Sequence, residues 1–223
     1  MKGDHIERSC IDCGKAGCLS GDSFPDFCLT TGLEKDEQTK EALEEALAAF
    51  DNTPADQKAM LAAALVEYEH YGEYTRIQEI IDFCRRMGFK KIGIATCVGL
   101  LREAHIAAEI FRNAGLEVYG HGCKAGMVPK SRFGIPEKCN AVGETACNPI
   151  FQAKHLNKIG TDLNVVIGLC VGHDSMFYKY SDALVTTLIA KDRVTGHNPA
   201  AVLYTHQSYY KQKLNMPPEE EKL

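Results

Sequence analysis

Between Thr75 and Lys191 the chain alternates helical and extended grammar, and that alternation limits its possible folds more than any other feature. Thr75 and Gln78 have capping-box spacing, Ile77, Ile80, Ile81 and Cys84 then share one helical face, and Gly88 closes the helix before "KKIGIAT". This strand runs into a helix carrying Leu100, Ala104, Ala107, Ala108 and Phe111, which Gly115 ends before the strand "LEVYG". Strand, helix and strand within about thirty residues is the length of a right-handed βαβ unit, which builds a parallel sheet. A third strand, "NVVIGL" at 164–169, is apolar throughout, as expected when both sheet faces are covered. A fourth, "ALVTTLIAK", follows a short helix after His173, and Asn198-Pro199 opens a last helix. The expected fold class is α/β: a Rossmann-like three-layer parallel sheet over residues 75–223, preceded by a cysteine-rich metal-binding segment over 1–32 and a helical extension over 33–74.

In the helical extension, Leu43, Ala46, Leu47 and Phe50 recur at helical spacing. Thr53 then offers an N-cap, Pro54 a first helical residue, and Met60, Leu61, Leu65 and Tyr68 an apolar stripe. No run of about 18 apolar residues is present, so no membrane partner is expected. The opening "MKGDHIERSC" lacks the apolar core of about 7–15 residues that a signal peptide needs, which leads to the expectation of a cytoplasmic protein with reduced thiols. A net charge of -5 argues against a surface that neutralises many phosphates, so nucleic acid is not an expected partner either. The acidic "PPEEEKL" reads as a solvated tail.

Ten cysteines in 223 residues fall well short of the roughly 8–10% of a disulfide scaffold, and a chain this long buries a core without covalent help. Reduced cysteines in such number point to soft-metal binding or thiol chemistry. Cys10, Cys13, Cys18 and Cys28 are spaced C-x2-C-x4-C-x9-C, with Gly14, Gly17 and Gly21 between them to let the backbone wrap an ion or cluster. That spacing resembles a zinc knuckle with cysteine in place of histidine. It also suits a cubane cluster, although the ferredoxin run C-x2-C-x2-C is absent.

Further along, Cys97 directly follows the first strand, Cys123 lies three residues past the second and Cys170 directly follows the third. Carboxyl ends of parallel strands form the rim where open α/β sheets place their ligand crevice. Cys147 precedes Asn148-Pro149, a strong helix start whose N-terminus favours an anion. One strand-end cysteine is ordinarily a small buried hydrophobe. Three in glycine-containing turns ("TCVG", "GHGCKAG", "LCVGHDS") read instead as a shared cofactor-binding site formed by Cys97, Cys123, Cys147 and Cys170. Cys84, on its apolar stripe, reads as core, and Cys139 as a substitute ligand or a bystander.

Among the histidines, His5, His70, His155 and His206 read as surface residues, whereas His121 and His173 flank Cys123 and Cys170 and are the candidate catalytic proton carriers. Asp174 reads as the N-cap of its helix. Lys124, Lys130 and Arg132, in the loop "GHGCKAGMVPKSRFG", are either anion contacts or solvated loop residues.

Taken together, "CIDCGKAGC", "ATCVGLLREA", "GHGCK", "ACNPIFQAKHLNKIGTDLNVVIGLCVGHDSMF" and "KDRVTGHNP" resemble an uncharacterised family of cysteine-rich metal-binding proteins found mainly in anaerobic microbes, catalogued as domain of unknown function eighteen-forty-seven. The resemblance runs over nearly the whole chain, with "CNP…GLCVGHDS" its most specific part. It implies metal binding and a cysteine-lined site at Cys97, Cys123, Cys147 and Cys170, and its anaerobic setting favours iron–sulfur over zinc.

The leading expectation is an iron–sulfur protein, its cofactor a 4Fe-4S cluster with zinc as the alternative at the N-terminal site. Its rim would serve redox or sulfur-handling chemistry with a small-molecule substrate and a redox partner. The alternatives are a structural zinc or metal-sensing protein without catalysis, and a metal-independent enzyme with Cys97 or Cys170 as nucleophile. A dinucleotide site is disfavoured because "ATCVGLLREA" lacks the G-x-G-x-x-G turn.

Overall fold

The computed structural model describes residues 9–33 and 36–216, so His5 and the "PPEEEKL" tail lie outside the described residues. The chain divides into two compact units, Met1–Ala63 and Ala64–Leu223. No helix among the described residues is long and apolar enough to cross a membrane.

In the first unit a 3-10 turn, Cys10–Asp12, is followed by the short helices α1 (Gly17–Ser20) and α2 (Leu29–Gly32) and by α3 (Glu37–Asn52). Asp36 caps α3 by accepting from the Thr39 backbone N–H at 3.3 Å. Next comes α4 (Pro54–Glu69), which begins in the first unit and ends in the second, and whose first turn closes on the Thr53 carbonyl, as its sequence leads one to expect. Its covered face differs from the expected stripe. Ala62 and Val66 are buried, while Met60, Leu61 and Tyr68 stand exposed. Both faces of this alanine-rich helix carry apolar residues at helical spacing, so periodicity alone does not select one.

The second unit carries the alternation. Here α5 (Arg76–Met87) opens on the Thr75–Gln78 capping box and stops at Gly88, whose φ is 76°. Then follow β1 (Lys91–Thr96), a 3-10 turn (Val98–Leu100), α6 (Leu101–Asn113), β2 (Glu117–Gly122), α7 (Pro149–Ile159), β3 (Leu163–Ile167), α8 (His173–Tyr180), β4 (Leu184–Ile189), α9 (Ala200–Tyr204) and α10 (Lys211–Leu214). The four strands form one all-parallel sheet in the order β2-β1-β3-β4. From β1 the chain moves to β2 on one side and then returns to β3 on the other, which puts a topological switch point between β1 and β3. Thr96 is level with Gly122 of β2 and Ile167 of β3, so these three strands end along one rim.

Successive side chains of β1 face opposite ways. Ile94 borders a groove with Ala104 and Ala108 of α6, whereas a Cβ at Gly93 would lie 2.9 Å from Leu156 of α7 and 2.0 Å from the Asn164 side-chain oxygen. Between these layers Ile92, Phe111, Leu156, Val165, Val166, Ile167 and Phe177 are almost fully buried. Each large side chain of this kind contributes about 1.5–3 kcal/mol relative to exposure. Asn164, polar and wholly buried on β3, is satisfied by Thr161 and Ser181, each at 2.8 Å.

Three local expectations change. β2 continues to Gly122, so Cys123 follows it directly instead of lying three residues beyond. β3 ends at Ile167, which leaves Gly168 and Leu169 before Cys170 rather than none. The N-cap of α8 is Gly172, not Asp174, because the Cys170 carbonyl accepts the N–H groups of both His173 and Asp174 and starts the helix earlier.

Candidate functional site: a thiol cluster on the strand rim

Each rim cysteine is fixed by backbone bonds its neighbours dictate. Cys97 caps the turn leading into α6, its Sγ accepting from the Gly99 N–H at 3.4 Å. The Cys123 N–H donates to the Thr96 carbonyl at 2.8 Å, and its own carbonyl accepts from the Asn148 N–H at 2.7 Å. The second bond ties the segment before α7 to the end of β2, while the Asn148 side chain caps α7 through the Phe151 N–H. The result is a hydrogen-bonded pair, Cys123 and Cys147, with sulfurs 3.6 Å apart.

Charge surrounds the thiols. Lys191 Nζ donates to Cys97 Sγ at 3.6 Å, and Arg193 Nη2 to Cys170 Sγ at 3.0 Å. Lys124 donates to the Thr145 carbonyl and lies near enough to Cys147 to favour its thiolate. The Cys147 thiol is lowered to about 7, first by the hydrogen bond from Cys123 and then by Lys124, against burial and the charges of Cys170 and Cys97. Its partner moves the other way. That same hydrogen bond, together with burial, pushes Cys123 far above the usual thiol range, so the pair gives up one proton readily and holds the other.

Beneath the rim stands Gln152, wholly buried on α7. Its amide nitrogen donates to the carbonyls of Thr96 (3.2 Å) and His121 (2.6 Å), the residues one and two positions before Cys97 and Cys123 respectively. Two carbonyl partners fix which end of the amide is nitrogen. Its oxygen, buried, has no protein partner.

The structure thus brings Cys97, Cys123, Cys147 and Cys170 to one rim, as one close pair and two cation-bound thiols. Among the described residues no group of three or more His, Cys, Asp or Glu side chains is placed so that it could hold a metal ion. Cys139 lies on a 3-10 turn, Glu137–Val142, its carbonyl accepting from a buried Lys130, so that lysine is a loop brace rather than an anion contact. Cys84 is wholly buried, and burial pushes its thiol up to about 12. The N-terminal four occupy successive turns: Cys10 in the first 3-10 turn, Cys13 at its end, Cys18 in α1 and Cys28 at the N-cap of α2. Cys28 is lowered by the Thr31 backbone N–H.

His121 is half-buried on β2 and pairs with His155, Nε2 to Nδ1, at 2.8 Å, and burial with that neighbour pushes it down. His173 opens α8 and donates its backbone N–H to Cys170. His155 is exposed on α7, as its sequence leads one to expect, and its ring meets that of His121. Lys191 and Arg193 were unmarked, being separated from their thiols by 94 and 23 residues.

The sequence profile of a protein family described as "protein of unknown function (DUF1847)" matches residues 34–188. The chain belongs to that family. The match is shorter than the motif resemblance, leaving "CIDCGKAGC" and "KDRVTGHNP" outside it, but it contains all four rim cysteines. An uncharacterised protein of Methanocaldococcus jannaschii is 49% identical over 152 residues, which is 68% of this DUF1847 chain and 77% of the relative.

Proposed function

We propose that this DUF1847 protein is a metal-binding protein. Its Rossmann-like three-layer domain carries a thiolate centre at Cys97, Cys123, Cys147 and Cys170, with an iron–sulfur cluster as the expected group. The observation that carries the reading is the meeting of four thiols from four chain segments at the sheet's switch-point rim, with lysine and arginine against them. Cations there offset the repulsion among thiolates, and thiolates are the ligands soft metals take. When bound, the group supplies electron transfer or Lewis acidity for redox or sulfur-handling chemistry on a small molecule. The protein's own residues hold it, set the charge around it and, through the depressed proton affinity of Cys147, ready one ligand at neutral pH.

The close pair bears on metal identity. Tetrahedral Zn–S bonds of about 2.3 Å place ligand sulfurs about 3.8 Å apart, near the 3.6 Å of Cys123 and Cys147. A cubane gives each cysteine its own iron and would draw this pair apart. Zinc shared by the pair is the second reading. Cys10, Cys13, Cys18 and Cys28 form a separate set of ligands, for a cluster or for zinc.

Serine replacement tests the rim. Cys97→Ser with Cys170→Ser removes rim-bound metal, whereas Cys10→Ser with Cys13→Ser removes only the N-terminal share. Unchanged metal content in the first variant defeats the reading.

A further inference from the structure

Lys191 and Arg193 are placed by a loop built for the purpose. Directly after β4, the Asp192 carboxylate accepts the N–H groups of Val194 (2.8 Å) and Thr195 (3.0 Å). The Asp192 N–H donates to His197 Nδ1 at 3.1 Å, and the His197 N–H returns to the Asp192 carbonyl at 2.8 Å. These bonds close residues 192–197 on themselves and turn the neighbouring carboxylate to backbone, away from the two cations that flank it. Lys191 consequently reaches Cys97 at the end of β1 and Arg193 reaches Cys170 beyond β3, one on each side of the switch point. At Gly99 the absent side chain leaves a gap: a Cβ there would lie 3.5 Å from Lys191 Nζ and 3.8 Å from Cys97 Sγ.

A single sulfur offers a guanidinium one soft acceptor, whereas the planar fork of arginine matches the paired oxygens of an oxyanion. A ligand suited to this mouth must offer hard anionic oxygens to the cations and a soft atom to the sulfurs. Sulfate and phosphate satisfy only the first requirement and sulfide only the second. We propose that Lys191 and Arg193 form an anion clamp over the thiol cluster, and that the small molecule bound there is a sulfur oxyanion with a terminal sulfur, of the thiosulfate class. Its oxygens take Arg193 and Lys191, and its terminal sulfur faces the rim cysteines through the gap at Gly99. This choice of substrate class rests on the sulfur-handling reading of the rim; the clamp itself rests on the loop geometry.

The test is titration calorimetry of the full chain, purified without oxygen, with sodium thiosulfate and separately with sodium sulfate, and with metal content measured on the same samples. Thiosulfate is expected to bind, more weakly as salt is added, and at least about tenfold more tightly than sulfate, a difference of about 1.4 kcal/mol. Lys191→Ala with Arg193→Ala weakens thiosulfate at least tenfold when the variant and the parent are compared at equal metal content. Arg193→Lys keeps part of the affinity, and Gly99→Ala lowers it with both charges in place. Three results overturn the inference: no thiosulfate binding by the parent at millimolar concentration, binding indifferent to the double replacement, or sulfate binding as tightly as thiosulfate. A parent without metal that binds thiosulfate through the clamp sinks the metal reading and keeps this inference; a metal-loaded parent that ignores thiosulfate does the reverse.

Discussion

Replacing Gly168 with alanine puts two independent loads on the turn that delivers Cys170. Gly168 sits at φ +64°, where a residue with a Cβ costs about 1–2 kcal/mol. The added Cβ would also stand 2.6 Å from Leu100 Cδ2 and 3.1 Å from Cδ1. Leu100 is 1% exposed and cannot swing into solvent, so overpacking adds about 1–3 kcal/mol. The sum, roughly 2–5 kcal/mol, corresponds to a fall in Tm of roughly 4–20 °C at about 2–4 °C per kcal/mol. Thermal unfolding followed by circular dichroism on reduced, anaerobic protein measures it. Leu100→Ala alone costs about 2–5 kcal/mol through its cavity. Combined with Gly168→Ala it removes the collision, so the double variant is less destabilised than the sum of the singles by about 1–3 kcal/mol. Because Gly168 lies two residues before Cys170, the single variant also loosens the Cys170–Arg193 contact and speeds alkylation of Cys170. A Gly168→Ala protein within about 0.5 kcal/mol of the parent would show that the left-handed turn and the Leu100 contact do not constrain this loop.

In metal-free protein Cys147 is the rim thiol that iodoacetamide modifies first. Its rate rises to a half-maximum near pH 7, since a thiol lowered to about 7 gains its reactive thiolate as pH passes that value. Lys124→Ala moves the midpoint upward, and peptide mapping across a pH series reads both results; equal rates at Cys123 and Cys147 would contradict the shared-proton pair. Cys84, wholly buried and pushed up to about 12, reacts with a disulfide reagent only in unfolded protein, so native and denatured thiol counts differ at that residue. Oxidation of metal-free protein with diamide yields the Cys123–Cys147 disulfide first, because their sulfurs lie 3.6 Å apart and share a hydrogen bond; a first link between two other cysteines, seen by mass spectrometry, would count against the rim geometry.

Much of the second unit was legible because its signals are local. Thr75 with Gln78, Gly88, and Asn148 with Pro149 mark helix ends through bonds spanning only a few residues, and the structure places caps at each. The apolar runs of β1 and β3 likewise declare strands covered on both faces. What escaped depends on distance in sequence or on backbone choice. The left-handed turn at Gly168 ends β3 early, and nothing in "VIGLC" distinguishes that from two more strand residues. His155 is solvated, as it reads, but its pairing with His121, 34 residues away, exists only once α7 folds over β2. Lys191 and Arg193 look like ordinary loop charges because the bonds that aim them, from Asp192 and His197, have meaning only once β4 ends beside β3.

Iron, zinc and acid-labile sulfide content, with a visible spectrum, on the full chain purified without oxygen tests the central claim most directly. The account predicts bound metal that falls when Cys97 and Cys170 are both serine. Iron and sulfide in near-equal amounts, about four or eight per chain, identify one or two cubane clusters, and colourless protein whose zinc is lost when Cys123 and Cys147 are both serine identifies the shared-ion alternative. Protein free of metal, sulfide and colour, with all ten thiols titrating as free cysteine after unfolding, would contradict the account and leave the rim as a site of thiol chemistry alone.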